Sequence, residues 1–143
     1  MGTGRQLMAC LSLGADGMIL ATRMLVSEEV WAHEDYKKRL AELGPDGTKI
    51  IMSLFGDNSR VIDNDSTAAV LALEAKGTTD YEAYRPHVQG TLQKQAYEVG
   101  DWNKGTISIG QSVAFAEGIE PAESIIDGIM AEAVAVREKL NGL

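Results

Sequence analysis

GTGRQLMACLSLGADGMILATRMLVSEEVWAHEDYKKRL, residues Gly2 to Leu40, is the stretch whose reading decides the fold. A glycine-bearing loop, Gly2-Thr3-Gly4, leads into Arg5 to Leu13, where Leu7, Met8, Leu11 and Leu13 give one apolar helical face. Gly14 stops that helix as a C-cap glycine does. Gly17-Met18-Ile19-Leu20-Ala21 is a short continuous apolar run bounded by turn residues, the pattern of a strand buried on both faces. Ser27-Glu28-Glu29 then predicts a helix start, with Ser27 as N-cap and acidic residues against the helix dipole. That helix is expected to continue from Val30 to Leu43, with Trp31, Tyr36 and Leu40 as packing residues. Loop, helix, strand and loop in this order are the repeating unit of a parallel α/β fold.

Beyond the break at Gly44-Pro45-Asp46-Gly47, Thr48 to Phe55 is predicted as a strand and Gly56-Asp57-Asn58 as a turn. Helices are predicted over Ser66 to Lys76, Thr78 to Pro86 and Val88 to Val99, with a polar loop from Gly100 to Gly105. Ser108 to Glu117 is compatible with strand or helix, with helix favoured from Gln111 onward. The last helix has Pro121 at its favoured first position, Ile125, Ile129, Ala133, Val136 and Leu140 on one face, and Asn141-Gly142 at its close. The sequence therefore predicts one helix-rich α/β domain over residues 1–143 with two or so short strands, divided into 1–43 and a mostly helical 44–143.

A length of 143 residues suits one domain with a real core. The net charge of −8 disfavours duplex DNA and anionic membranes as partners. No run approaches the roughly 18 apolar residues of a transmembrane helix. The N-terminal residues have no basic region followed by an apolar core, and a cytoplasmic location is expected. The single Cys10 allows no intrachain disulfide and is read as a buried structural thiol. One cysteine and two widely spaced histidines make no recognisable zinc site, so no metal is expected.

In an α/β barrel, ligands bind at the C-terminal ends of strands, with phosphate held by backbone N–H groups and a helix N-terminus. Gly2-Thr3-Gly4 before a helix and Leu20-Ala21-Thr22 after a strand have that form, with the hydroxyls of Thr3 and Thr22 as further donors. An ordinary loop has the same appearance, because Gly-X-Gly before a helix is common.

The same residues resemble the C-terminal part of the nitronate monooxygenase family, formerly called 2-nitropropane dioxygenases, which are FMN-dependent (β/α)8 barrels. The family pattern of Ala-Leu-Gly-Ala-Asp-Gly, a strand and Met-Gly-Thr-Arg-Phe is matched by Ser12-Leu13-Gly14-Ala15-Asp16-Gly17 and Leu20-Ala21-Thr22-Arg23-Met24. Asn58 to Asn64, Gly110-Gln111-Ser112 and the closing Ile126 to Ala133 agree as well.

The resemblance implies oxidation of small alkyl nitronates with FMN and O2. It implies that residues 1–43 are the last barrel elements and carry half of the FMN phosphate site. The residues it marks are Gly2 and Thr3 in the first loop and Ile19, Leu20, Ala21 and Thr22 in the second. Gln111 is expected at the flavin edge or substrate pocket, or simply as a helix-start residue. Ala21 departs from the usual glycine. The family's double glycine would fall just before Met1. The ring-binding loops and the histidine base correspond to barrel segments not represented in this sequence, and neither His33 nor His87 replaces that base. The expectation is thus a C-terminal barrel portion, incomplete and inactive alone, that pairs with an N-terminal barrel partner or self-associates. A related FMN-dependent enoyl reductase, and a non-catalytic helical protein that self-associates, are the alternative readings.

Overall fold

The computed structural model describes residues 1–142. Six α-helices and two short strands follow in the order α1 (Gly4–Ser12), α2 (Glu34–Ala41), β1 (Thr48–Ile51), β2 (Ser59–Ile62), α3 (Asp65–Ala75), α4 (Tyr81–Val88), α5 (Gly90–Val99) and α6 (Ala122–Asn141). Three 3-10 turns, at Thr22–Val26, Ser53–Phe55 and Gln111–Phe115, connect them. The architecture is the helix-rich α/β arrangement expected from the sequence.

Helix α1 begins where Thr3 caps it, its Oγ1 accepting the Gln6 N–H at 3.2 Å. Gly14 follows with φ 92°, a backbone conformation that glycine adopts without steric penalty. Helix α1 lies across α6, and Gly4 is the point of closest approach. A Cβ there would sit 2.3 Å from the Ile129 carbonyl oxygen and 2.4 Å from the Ala133 nitrogen. Along α6 the predicted apolar face is inward at Ile125, Ile129 and Ala133, while Leu140 is 52% exposed. Pro121 is the N-cap residue itself, one position before the predicted one.

The run Gly17–Ala21 does not form the predicted buried strand. Among the described residues it pairs with no strand, and Ile19 is 89% exposed. An apolar run is read as a buried strand only when neighbouring strands satisfy its backbone. Here the side chains alternate instead, with Met18 and Leu20 half-buried and Ile19 in solvent.

The helix predicted with Ser27 as its cap is capped six residues later, by His33. The reason is tertiary. Ser27 forms a parallel bridge with Glu120, and the Glu28 N–H donates to the Glu120 carbonyl at 3.0 Å. The buried Lys37 donates through Nζ to the carbonyls of Ser27 at 2.6 Å and Glu28 at 3.1 Å. Glu29 turns away to the start of α6, where its carboxylate accepts the Ala122 N–H at 2.9 and 3.1 Å.

The strand predicted over Thr48 to Phe55 ends at Ile51. Met52 takes the left-handed conformation (φ 64°), which no strand continues through, and the chain turns back into β2. The hairpin is antiparallel with Thr48 opposite Ile62 and Ile51 opposite Ser59. Ser108 bridges to Val61, and the Ile62 N–H donates to Ile107 at 2.9 Å, so the 107–109 segment runs beside β2. Asn64 ties this region together. Its carbonyl oxygen caps α3 at the Thr67 N–H (2.9 Å), and its amide donates to Trp102 (2.8 Å) and Gly105 (2.9 Å) carbonyls.

Two apolar clusters form the core. The larger joins Val26, Tyr36, Leu40, Ile62, Ile107, Val113, Ile125 and Ile129. The smaller gathers Ile51, Met52, Val61, Val70 and Tyr84 between the hairpin and helices α3 and α4. Each large side chain buried there contributes about 1.5–3 kcal/mol relative to exposure. Cys10 is a free, half-buried thiol on α1, less enclosed than expected. No helix among the described residues is long and apolar enough to cross a membrane.

Candidate functional site

The first loop of interest is held from several sides. Gly2 is buried, its N–H donates to Gln6 Oε1 at 2.7 Å, and its carbonyl accepts from Arg23 Nη1. A Cβ on Gly2 would meet the Phe115 ring at 2.7 Å and Ser112 Cβ at 3.3 Å, so a larger residue would displace the 3-10 turn beside it. Thr3 is spent as an N-cap acceptor, and the Gly4 N–H donates to Glu132 Oε2 at 2.6 Å.

The second loop enters the 3-10 turn Thr22–Val26. Thr22 is 7% exposed, and its Oγ1 accepts the Gly110 N–H at 2.8 Å. A threonine hydroxyl also carries one proton to donate, and that proton has no acceptor among the described residues. The opening N–H groups of such a turn have no partner within it. Ala21 has φ −130° and ψ −81°, outside the left-handed region that favours the glycine usual in the family.

The residues singled out from the sequence thus fall into two groups. Gly2 and Thr22 are drawn together with Gly110 and Gln111 by the Arg23–Gly2 and Gly110–Thr22 hydrogen bonds. Gln111 is exposed and lines a cleft of about 470 Å³ with Gln6, Ser112 and Phe115. Ile19 stands in solvent, and Leu20 turns the other way, into an apolar notch of about 150 Å³ with Leu7, Ile126 and Met130.

Arg23 joins this junction, and sequence reasoning left it without a role. Its sequence signal is its place in the Thr-Arg pair of the family pattern, and its bond to a residue 21 positions away has no local signature.

The histidines lie elsewhere. His33 caps α2, its Nδ1 accepting the Asp35 N–H at 3.2 Å. His87 borders a polar notch with Asp65, Asp101 and Lys104. Tyr84 and Trp102 pack elsewhere rather than line this cleft: Tyr84 is buried and donates to the Thr78 carbonyl at 2.6 Å, and Trp102 lies under the Arg39 guanidinium. Among the described residues no group of three or more metal-ligating side chains converges.

The donors at this junction suit a phosphate. They comprise an unspent hydroxyl proton on Thr22, the first N–H groups of a 3-10 turn, and the Arg23 guanidinium, whose Nε is buried without a partner. Glu132, which shares a notch with Arg23 and Glu117, is already engaged by Arg5 at 2.7 Å and by Gly4.

The fold is shared with solved structures. FabK from Thermotoga maritima superposes with a TM-score of 0.87 at 25% identity, over 99% of this chain and 44% of that one. Nitroalkane oxidase from Streptomyces ansochromogenes superposes with a TM-score of 0.69 at 24% identity, over 98% of this chain and 39% of that one. The chain therefore spans less than half the length of either protein. Residues 1–132 match the family described as nitronate monooxygenase, and the match takes in the Gly2 loop, the Thr22-Arg23 turn and the Gly110-Gln111 turn together. This chain belongs to the nitronate monooxygenase family.

Proposed function

We propose that this chain provides the phosphate-binding and C-terminal portion of an FMN-dependent oxidoreductase that oxidises alkyl nitronates. The observation that carries the reading is the convergence of Gly2, Thr22 and Gly110-Gln111, which lie far apart in sequence and are tied by two hydrogen bonds. Thr22, the backbone of Ala21 and the Gly2-Thr3 loop hold the phosphate in this reading. Ile19 and Leu20 set the path of the second loop, and Gln111 faces the flavin edge or the substrate. When bound, FMN supplies the electron acceptor for the nitronate, with O2 as oxidant. The chain's own contribution is orientation and charge. Thr22 would donate its hydroxyl proton to a phosphate oxygen, its own oxygen being held by the Gly110 N–H.

Catalysis requires more of the barrel. Neither histidine borders the Gln111 cleft, and the Gly17–Ala21 run pairs with no strand among the described residues and has an Ile19 side chain 89% exposed. Such an unpaired apolar segment is stabilised when further structure pairs with it or covers it. A stable compact monomer by size-exclusion chromatography with light scattering would contradict that part.

The binding proposal is tested by recording visible spectra of the purified chain during FMN titration, with riboflavin as the phosphate-free control. Two or three charge-assisted hydrogen bonds of ~1.5–3 kcal/mol each correspond to a Kd on the order of 0.1 mM. Shifted flavin bands for FMN and much weaker binding of riboflavin support the reading. No shift at millimolar FMN sinks it.

A further inference from the structure

We infer that Arg23 is the positioning residue of the phosphate clamp, setting the distance between its two loops. The inference rests on the flavin reading above and goes beyond it by assigning a residue that makes no part of the loop backbone itself. Arg23 stands directly after Thr22 and reaches across the seam to donate Nη1 to the Gly2 carbonyl. The Gly2 N–H is held separately by Gln6, so the Arg23 bond fixes the next peptide group, on the other side of the Gly2 Cα. The guanidinium is set into the seam rather than splayed into solvent: its Nε is buried with no hydrogen-bond partner.

An unpartnered buried N–H disfavours folding, so the fold retains Arg23 here against a local penalty. Gly2 cannot hold the seam alone, since it has no side chain and only backbone groups to offer. Arg23 is also a cation beside a notch lined by Thr3, Arg5, Phe115, Glu117 and Glu132. Its bidentate fork is not reproduced by lysine, though lysine keeps one donor.

The test compares wild type, Arg23→Ala and Arg23→Lys by hydrogen exchange with mass spectrometry, and by FMN and riboflavin affinity. Arg23→Ala is expected to speed exchange of the peptide covering residues 2–7, with α2 and the second half of α6 unchanged as internal controls of folding. FMN affinity falls by about tenfold while riboflavin affinity holds, as expected from one hydrogen bond to a charged group. Arg23→Lys restores both in part. Unchanged exchange at residues 2–7, or equal losses for FMN and riboflavin, would overturn the assignment. If wild type binds no FMN, the flavin reading fails instead, and the exchange data decide by themselves whether Arg23 spaces the loops.

Discussion

Replacing Gly4 by alanine places a methyl group where α1 and α6 meet. The new Cβ would stand 2.3 Å from the Ile129 carbonyl oxygen and 2.4 Å from the Ala133 nitrogen, both backbone atoms that no rotamer change can move. Restoring ordinary contact requires α1 to withdraw by about 1 Å. That motion strains the Gly4 N–H bond to Glu132 (2.6 Å) and the Arg5–Glu132 pair (2.7 Å).

Overpacking of this kind costs about 1–3 kcal/mol, and weakening a charge-assisted bond adds ~1 kcal/mol. The reduced entropy of the unfolded chain returns ~0.4–1 kcal/mol, which leaves a net loss of about 2 kcal/mol. For a chain of 143 residues the unfolding entropy makes this a fall in Tm of roughly 7 °C. Gly128→Ala is the control. It lies inside α6 with nothing within 4 Å of its Cβ, and removing a helix glycine there should raise stability by about 1 kcal/mol. Both are read by thermal and urea unfolding followed by circular dichroism. A Gly4→Ala protein as stable as the Gly128→Ala protein would refute the close crossing.

Three further outcomes are expected. Thr22→Val keeps the shape but removes the acceptor of the Gly110 N–H; a loss of about 1–2 kcal/mol is expected in urea unfolding, with weaker FMN binding. Asn64→Ala deletes the α3 cap and two loop anchors at once, and about 2–3 kcal/mol should be lost with a changed Trp102 fluorescence. Glu29 has its carboxyl held below the ordinary 4.5, first by the Ala122 N–H and then by its own backbone N–H. A lowered folded value means this contact stabilises fully above 4.5 and is lost as pH falls through the lower value, so Glu29→Gln should flatten the acid limb of the stability–pH profile.

Local signals were legible where local energetics decide the structure. Helix α6 carries a regular apolar spacing and α1 an apolar face with a stop glycine, and both formed within a residue or so of the prediction. Long-range contacts decide the rest. Ser27 has every mark of a helix cap, yet Lys37 and Glu120 claim its neighbourhood, and the helix start moves to His33. The apolar run at Gly17–Ala21 matches a buried strand, but no neighbouring strand among the described residues completes it. The hairpin was half seen because Met52 accepts a left-handed conformation that its residue type does not announce.

The candidate site divides the same way. The glycine loop and Thr22 are visible as motifs, and the resemblance brought in Gln111. The Gly110–Thr22 bond spans 88 positions, and the Arg23–Gly2 bond was equally invisible.

The central claim is that residues distant in sequence form one phosphate-binding junction. Titrating FMN into isotopically labelled chain and following backbone amides by NMR tests it most directly. Shifts concentrated at Gly2 to Gly4, Thr22, Arg23, Gly110 and Gln111, and much smaller ones with riboflavin, are predicted. No shifts at millimolar FMN, or shifts confined to the notch around His87 and Asp101, would contradict it.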